Sequence, residues 1–234
     1  MVNRRMKQII KDAQDLGWVL EPYAKELLVE GGLTIPKGIV TDSPDAAVRF
    51  LNSAAGPVAV KAVSAEIVHK TEMQAVVTGI RDQDTLASEI RRLLSLKGCG
   101  RVLVEEMVSG IEILAGAKND AQFGPVVVLG PGGTGVELYN DTAIRLAPVD
   151  RTDVYSMVDS LGAKPVFEGF RGRPGVNMEA LARMVVTFSH LIMDLEPYFE
   201  SVDLNPVICT PDRCVAADAR IMLLEKQMSG QTET

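Results

Sequence analysis

Lys61 is the one charge in the run Val58-Ala59-Val60-Lys61-Ala62-Val63, which reads as a buried strand. An unpaired ammonium is expensive to desolvate there, so something anionic is expected to meet it. Two readings are open. Lys61 is either an edge-strand lysine whose stem runs along apolar surface to water, or a cation for nucleotide phosphates. Near the C-terminus, a two-residue turn at Pro211-Asp212 pairs Thr210 with Arg213 and fixes a hairpin register outward. That register sets Cys209 opposite Cys214, Val207 opposite Ala216, Asn205 opposite Asp218 and Asp203 opposite Arg220, all on one face. An amide oxygen and a carboxylate so placed have β-carbons roughly 4.5 to 5.5 Å apart, which suits shared coordination of a hard cation such as Mg2+. A cross-strand hydrogen bond is the plain alternative, and for Asp203 with Arg220 an ion pair is the expectation.

Other groups are less eloquent alone. His69 lies in a polar loop beside Lys70 and Thr71, either as an ordinary loop residue or as a neutral, nucleophilic imidazole. His190 shares a helix side with Arg183 and Glu179 and reads as solvated. Glu105, Glu106 and Glu112 fall at strand ends, where exposed acids are commonplace. Gly130-Pro131-Gly132-Gly133 reads as a tight turn whose amides could also approach a phosphate. Cys99, Cys209 and Cys214 have no C-x-x-C spacing, which fits neither a zinc site nor a disulfide framework, so free thiols in a reducing cytoplasm are expected.

These residues must be held by mixed elements. Helical spacing predicts helices over 4–16, 22–30, 44–55, 84–96, 151–161 and 177–195, with Asp42-Ser43-Pro44 a strong helix start. Strands are predicted over 58–63, 73–80, 102–107, 112–117, 126–129, near 136–139, and over 143–146, followed by the hairpin of 202–209 against 213–222. This order implies an α+β or α/β two-lobe architecture with a seam near residues 98–101. The expected divisions are an N-terminal helical extension (1–18), a small lobe (19–100), a large lobe (101–228) and a polar tail (229–234).

Composition excludes several classes. The chain has 234 residues, 47% hydrophobic and 24% charged, enough for a real core. Its 24 Lys+Arg against 31 Asp+Glu give a net charge of -7, the wrong sign for wrapping nucleic acid. The opening residues have a basic start without an apolar stretch behind it, so no signal peptide is expected, and no apolar run is long enough for a membrane helix. A soluble, cytoplasmic protein is the expectation.

Taken in order, the segments Tyr23-Ala24-Lys25-Glu26-Leu27-Leu28, Val58-Ala59-Val60-Lys61, His69-Lys70-Thr71-Glu72, Val102-Leu103-Val104-Glu105-Glu106-Met107, Phe123-Gly124-Pro125-Val126-Val127, Arg145-Leu146-Ala147-Pro148, Asp203-Leu204-Asn205-Pro206 and Asp218-Ala219-Arg220 carry a resemblance. Over about residues 20–224 the chain resembles the ATP-grasp (β) subunit of ADP-forming acyl-CoA synthetases, relatives of succinyl-CoA synthetase. The resemblance implies a two-lobe ATP-grasp fold that holds ATP or ADP between β-rich lobes. It implies Lys61 on the phosphates, Glu105, Glu106, Met107 and Val108 along the adenine and hinge, and Glu112 near the ribose. Arg145 would face the transferring phosphate, Asn205 and Asp218 would hold Mg2+, and His69 would match a proposed phosphohistidine.

The reaction so implied converts acyl-CoA, ADP and phosphate reversibly into a free acid, CoA and ATP. A CoA-binding α subunit is expected as a separate partner, so full turnover by this chain alone is not. The sequence departs from the family where Glu72 replaces the usual aspartate, where Gln74-Ala75 occupy a glycine pair, and at Thr134-Gly135 in the glycine-rich stretch. Two other readings use the same fold: a carboxylate-amine ligase without phosphohistidine, and a non-catalytic nucleotide-sensing subunit.

Overall fold

The computed structural model describes residues 1–67, 73–133, 141–169, 172 and 174–225. The expected site residue His69 and the expected strand near 136–139 lie outside them. Among the described residues two β-sheets organise the chain, and nearly every element that leads to them begins with a local signal. Asn3 caps helix α1 (Arg4–Ala13) by accepting from the Met6 amide, and Met6, Ile9 and Ile10 form its buried stripe. Gly17, at φ 76°, ends the following 3-10 turn in the left-handed region that glycine tolerates and releases the chain into the short strand β1 (Trp18–Val19). Helix α2 (Glu21–Glu30) follows with proline in its first turn.

The smaller sheet has four strands, β2 (Gly38–Thr41), β3 (Val58–Val63), β4 (Val76–Ile80) and β5 (Arg101–Glu106), in the order β2-β5-β3-β4. Helices α3 (Pro44–Ser53) and α4 (Gln83–Leu94), capped by Ser43 and Asp82, supply Ala47, Leu51, Leu86, Ile90 and Leu93 to a core with Val58, Val60, Ala62, Val102 and Val104. Side chains alternate along a strand, so Ala59, Lys61, Leu103 and Glu105 point to the other face. Ala59 pairs with Glu105 and Lys61 with Leu103, which makes Lys61 and Glu105 diagonal neighbours there.

The larger sheet is seven-stranded. It runs β1-β11-β9-β6-β7-β8, comprising β6 (Ile111–Asp120), β7 (Gly124–Pro131), β8 (Ala143–Leu146), β9 (Phe199–Cys209) and β11 (Arg220–Leu223), while β10 (Cys214–Ala216) pairs with the other end of β9. Helices α5 (Arg151–Ser160), α6 (Lys164–Glu168) and α7 (Met178–Leu195) complete the described elements. The 18-residue α7 buries Leu181, Val185, Phe188 and Ile192 against Ile113, Ala115, Ala117, Val127, Val202 and Leu204. Asp141 accepts from the amides of Gly162 and Ala163 and so fixes the turn before α6.

The sheets divide the chain differently from the seam expected near residues 98–101. β5, beyond that seam, pairs in the smaller sheet, while Leu27, Leu28 and Leu33, before it, join the core of the larger. The order of elements along the chain does not reveal this, because β5 is antiparallel to both β2 and β3, a pairing that local sequence does not encode. No helix among the described residues is long and apolar enough to cross a membrane.

Candidate nucleotide site

The hairpin register follows the turn. Thr210 donates its amide to the Arg213 carbonyl, and its Oγ1 accepts from the amides of Asp212 and Arg213, closing the two-residue connection. Cys209 then pairs with Cys214, Val207 with Ala216 and Arg220 with Asp203, as counting requires. Between the two ladder segments the Ala217 amide donates to the Pro206 carbonyl at 3.0 Å, so the frame is kept while regular pairing lapses. Asn205 and Asp218 therefore occupy facing positions. On the other side of β9 the register against β6 shifts by one between Ile113 and Ala115, opposite Asn205-Pro206. A bulge of this kind re-aims side chains. It lets Leu204 and Val207 both reach the helix-covered core while Asp203 and Asn205 face away from it.

Asn205 Oδ1 is buried and has no hydrogen-bond partner among the described residues. Burying an acceptor unpaired costs about 1 to 3 kcal/mol, so the atom marks a place built for a donor or a cation. Asp218 Oδ1 accepts from the Ala219 amide. The expected Asp203–Arg220 ion pair is not closed through Arg220 Nε, which is buried without a hydrogen-bond partner among the described residues. Burial and then the nearby Asp218 charge push the Asp203 carboxyl up, with Arg220 opposing. Three carboxylates, thiols or imidazoles do not gather anywhere among the described residues. An amide plus one carboxylate is a sparse set, which fits Mg2+ better than Ca2+ or Zn2+, because Mg2+ commonly keeps waters and takes further ligands from phosphates.

The centre of the site is a four-member ionic cluster. Lys61 Nζ donates to Glu21 Oε1 at 2.5 Å and to the Ala217 carbonyl at 2.8 Å, with Glu105 Oε2 at 3.3 Å. Lys25 Nζ donates to both oxygens of Glu105 at 2.6 Å and to the same Ala217 carbonyl at 2.8 Å, with Glu21 Oε1 at 2.9 Å. All four side chains are buried. Two ammonium groups thus share two carboxylates and one carbonyl, and the shared carbonyl belongs to the residue before Asp218. Burial opposes the Lys61 charge, but Glu21, Asp218 and Glu105 outweigh it and hold its pKa above the ordinary lysine value. For Lys25 burial wins, helped by the Lys61 charge, and its pKa is lowered despite Glu21 and Glu105.

This arrangement corrects the edge-strand reading of Lys61: β3 lies between β5 and β4, and the ammonium is ion-paired inside, away from water. Glu105, read from sequence as an exposed acid at a strand end, is 3% exposed and holds Lys25. Glu21 and Lys25 were missed, although a signal existed. They stand four apart on α2 and share a side with Ala24 and Leu28, so their face was the buried one.

The remaining expected residues are spread around this centre. Glu106 and Val108 are half-buried and Met107 is exposed, its Sδ accepting from the Gly79 amide and its own amide donating to the Pro57 carbonyl. Glu112 is exposed at the start of β6, on the same side of the larger sheet as Asp203. Gly132 and Gly133 cross directly over it. The Gly132 amide donates to the Glu112 carbonyl, and a Cβ on Gly132 would lie 2.6 Å from the Ile113 backbone.

Arg145 is not brought to the cluster. Its β8 position aligns through Val127 and Ala117 with Val202, on the helix-covered face, opposite to the one carrying Asp203. Its guanidinium donates to Ser156 of α5 and to the Ile144 carbonyl. Arg145, which the resemblance implies at the transferring phosphate, is thus set by strand alternation on the helix-covered side of the larger sheet, away from Lys61.

Comparison with known proteins places this geometry. The model of an ATP-grasp domain matches residues 11–223. The β subunit of ADP-forming acetate–CoA ligase I of Pyrococcus furiosus is 32% identical over 213 residues, covering 88% of this chain and 91% of that protein. A solved structure of Ca. Korarchaeum cryptofilum dinucleotide-forming acetyl-coenzyme A synthetase 1, in complex with coenzyme A and Ca-AMPCP, superposes with a TM-score of 0.84 at 30% identity, covering 93% of this chain and 99% of that one. Another structure of that enzyme, with coenzyme A and Mg-AMPPCP and its phosphohistidine segment pointing towards the nucleotide-binding site, gives 0.81 at 29% identity with the same coverage. A buried lysine–carboxylate centre between two antiparallel sheets, a domain match over most of the length and relatives of nearly equal extent lead to one conclusion: this chain belongs to the ATP-grasp family and is similar to the β subunits of ADP-forming acetate–CoA ligases.

Proposed function

We propose that the chain is the nucleotide-binding subunit of an ADP-forming acyl-CoA synthetase, interconverting acyl-CoA, ADP and phosphate with a free acid, CoA and ATP. The observation that carries the reading is the link through Ala217. Its carbonyl takes the ammonium of Lys61 at 2.8 Å, and the next residue is Asp218, facing Asn205 across the ribbon. A phosphate-binding cation and a metal-binding pair are thereby held in one neighbourhood, which is what phosphoryl transfer asks of a protein: position and neutralise oxygens. The unpaired Asn205 Oδ1 supports the metal role.

In this reading Asn205 and Asp218 hold Mg2+, which would screen the charge of the nucleotide phosphates. Lys61 contacts a phosphate oxygen, and Glu106, Met107 and Val108, at the exit of β5, line the base. Glu112, under the glycine turn, meets the ribose, while Glu105 serves the lysines. His69 relays phosphate: its ring nitrogen bonds to phosphorus as the bond from phosphorus to the donor's oxygen or nitrogen breaks, and a terminal oxygen of ADP then attacks that phosphorus and displaces the imidazole, giving ATP. A separate CoA-binding subunit supplies the acyl chemistry, as the multi-subunit naming of the relatives supports.

The test is titration calorimetry of the purified chain with Mg-ADP, followed by phosphorylation with ATP labelled at the γ position, with and without a CoA-binding subunit. Binding is expected in the wild type, with a loss of about tenfold or more in Lys61→Met and Asp218→Asn, the size of one lost charge-assisted contact. Acid-labile label is expected in the wild type and not in His69→Asn. Full acyl-CoA synthesis by the isolated chain, or unchanged Mg-ADP affinity in Lys61→Met, would refute the proposal.

A further inference from the structure

Two buried polar atoms have no hydrogen-bond partner among the described residues, Asn205 Oδ1 and Arg220 Nε. The metal reading absorbs the first and leaves the second over. Arg220 opens β11 directly opposite Asp203, and its neighbours Ala219 and Ile221 belong to the helix-covered core. Strand alternation therefore turns its side chain to the face of the larger sheet that carries Asp203 and Asn205. Residues 217–220 thus bring three groups to one neighbourhood: the Ala217 carbonyl takes Lys61 at 2.8 Å, Asp218 faces Asn205, and Arg220 follows two residues on.

The acids nearby do not use this donor. Asp203 lies close enough to feel the charges of Arg220 and Asp218, and Asp218 acts on Lys61 as well, yet neither acid accepts from Nε. A buried guanidinium N–H without an acceptor is costly, and its planar donor geometry suits phosphate oxygens. The strands of the larger sheet carry two arginines among the described residues, and Arg145 faces the helices. From this placement we infer that Arg220 binds a phosphate oxygen of the Mg-nucleotide through its Nε–H, the part that the resemblance gives to Arg145. The inference rests on the nucleotide reading above and deepens it: Lys61 meets the phosphates from the smaller sheet and Arg220 from the larger, with Asp218 and its metal held by the same segment as Arg220.

Calorimetry on the full chain tests this, with Mg-ADP, adenosine and inorganic phosphate as separate titrants, for wild type, Arg220→Gln, Arg220→Lys, Asp203→Asn and Lys61→Met. Arg220→Gln should weaken Mg-ADP by about ten- to a hundredfold, the range for one lost hydrogen bond to a charged group, and leave adenosine unchanged. Arg220→Lys keeps the charge but has no N–H at the Nε position, so it should lose about threefold to tenfold. Asp203→Asn should hold Mg-ADP at wild-type affinity or tighten it by up to about threefold, since it removes a negative charge near the phosphate and no contact to it.

Unchanged Mg-ADP affinity in Arg220→Gln, or adenosine weakened in parallel, overturns the inference, and so does a loss in Asp203→Asn as large as in Arg220→Gln, which makes the pair a structural unit. Weaker inorganic phosphate with Mg-ADP unaltered would place the arginine at a free phosphate instead, and also overturns it. Should Arg220→Gln fail to fold, judged by circular dichroism, Arg220→Lys decides: a selective loss of Mg-ADP supports the inference and wild-type affinity refutes it. Arg220 variants at wild-type affinity beside a weakened Lys61→Met would sink this inference only, whereas wild-type affinity in Lys61→Met would sink the nucleotide reading itself.

Discussion

Neutralising Glu105 should cost this fold more than its single position suggests. Its two oxygens take the Lys25 ammonium at 2.6 Å each, and Oε2 also lies 3.3 Å from Lys61, all in a buried centre. Glu105→Gln leaves two ammonium groups with Glu21 and the Ala217 carbonyl, and it turns an amide N–H2 toward a cation. Breaking a buried pair by removing one partner costs about 3 to 5 kcal/mol. The amide oxygen still accepts one hydrogen bond, so the lower end, about 3 kcal/mol, is the expected loss.

The pH dependence has a definite sign. The Lys25 pKa is already lowered in the folded chain, and losing Glu105 lowers it further. The unfolded chain then binds more protons than the native one as pH approaches 10.5, the ordinary lysine value, so stability of the variant rises with pH relative to wild type. Each further unit of lowering narrows the deficit by about 1.4 kcal/mol once pH has passed through it. Urea denaturation of both proteins from pH 7 to pH 10 measures this. A variant as stable as wild type at pH 7, or a deficit that widens with pH, would refute the ionic account of the cluster.

Two further predictions follow from local geometry. Gln74 sits at φ 50°, where an L-residue costs about 1 to 2 kcal/mol, and its carbonyl rather than its side chain holds Arg92. Gln74→Gly should therefore raise stability by about 0.5 kcal/mol after the entropy of the glycine is deducted, read as a higher denaturation midpoint; a drop would refute the strain. The Cys209 and Cys214 sulfurs are 2.7 Å apart and buried, and the hydrogen bond with Cys214, then burial, pushes the Cys209 thiol up. An aromatic disulfide reagent at pH 8 should leave both unlabelled in the native chain and label them in urea, and stoichiometric native labelling would contradict their inert role.

How much of this was legible varies with the range of the interaction. Caps are local, so Ser43 announced α3 through a side chain that bonds an amide three residues on. The hairpin register was legible because a two-residue turn at Pro211-Asp212 leaves only one pairing, which antiparallel counting carries outward, whereas the single face expected for those pairs was not, since the bulge on β9 sends Val207 to the core and Asp203 and Asn205 away from it. The ordered motifs likewise carried the family resemblance. The short strand β1 and helix α6 were not anticipated, since two and five residues are too few to show a period.

What only the tertiary structure decided is which charges meet. Lys61 in its apolar run advertised that an anion was needed, but Glu21, Lys25 and Glu105 are separated from it by 36 to 44 residues, and ion-pair chemistry has no sequence period. Arg145 shows the same limit from the other side, since a strand residue faces one of two ways and the choice was made by Val127, Ala117 and Val202 across three neighbouring strands. Sequence dictates periodicity, turns and caps because those energies act over a few residues; the partners of a buried charge are chosen by packing, because only the folded chain removes the water that would otherwise satisfy each group alone.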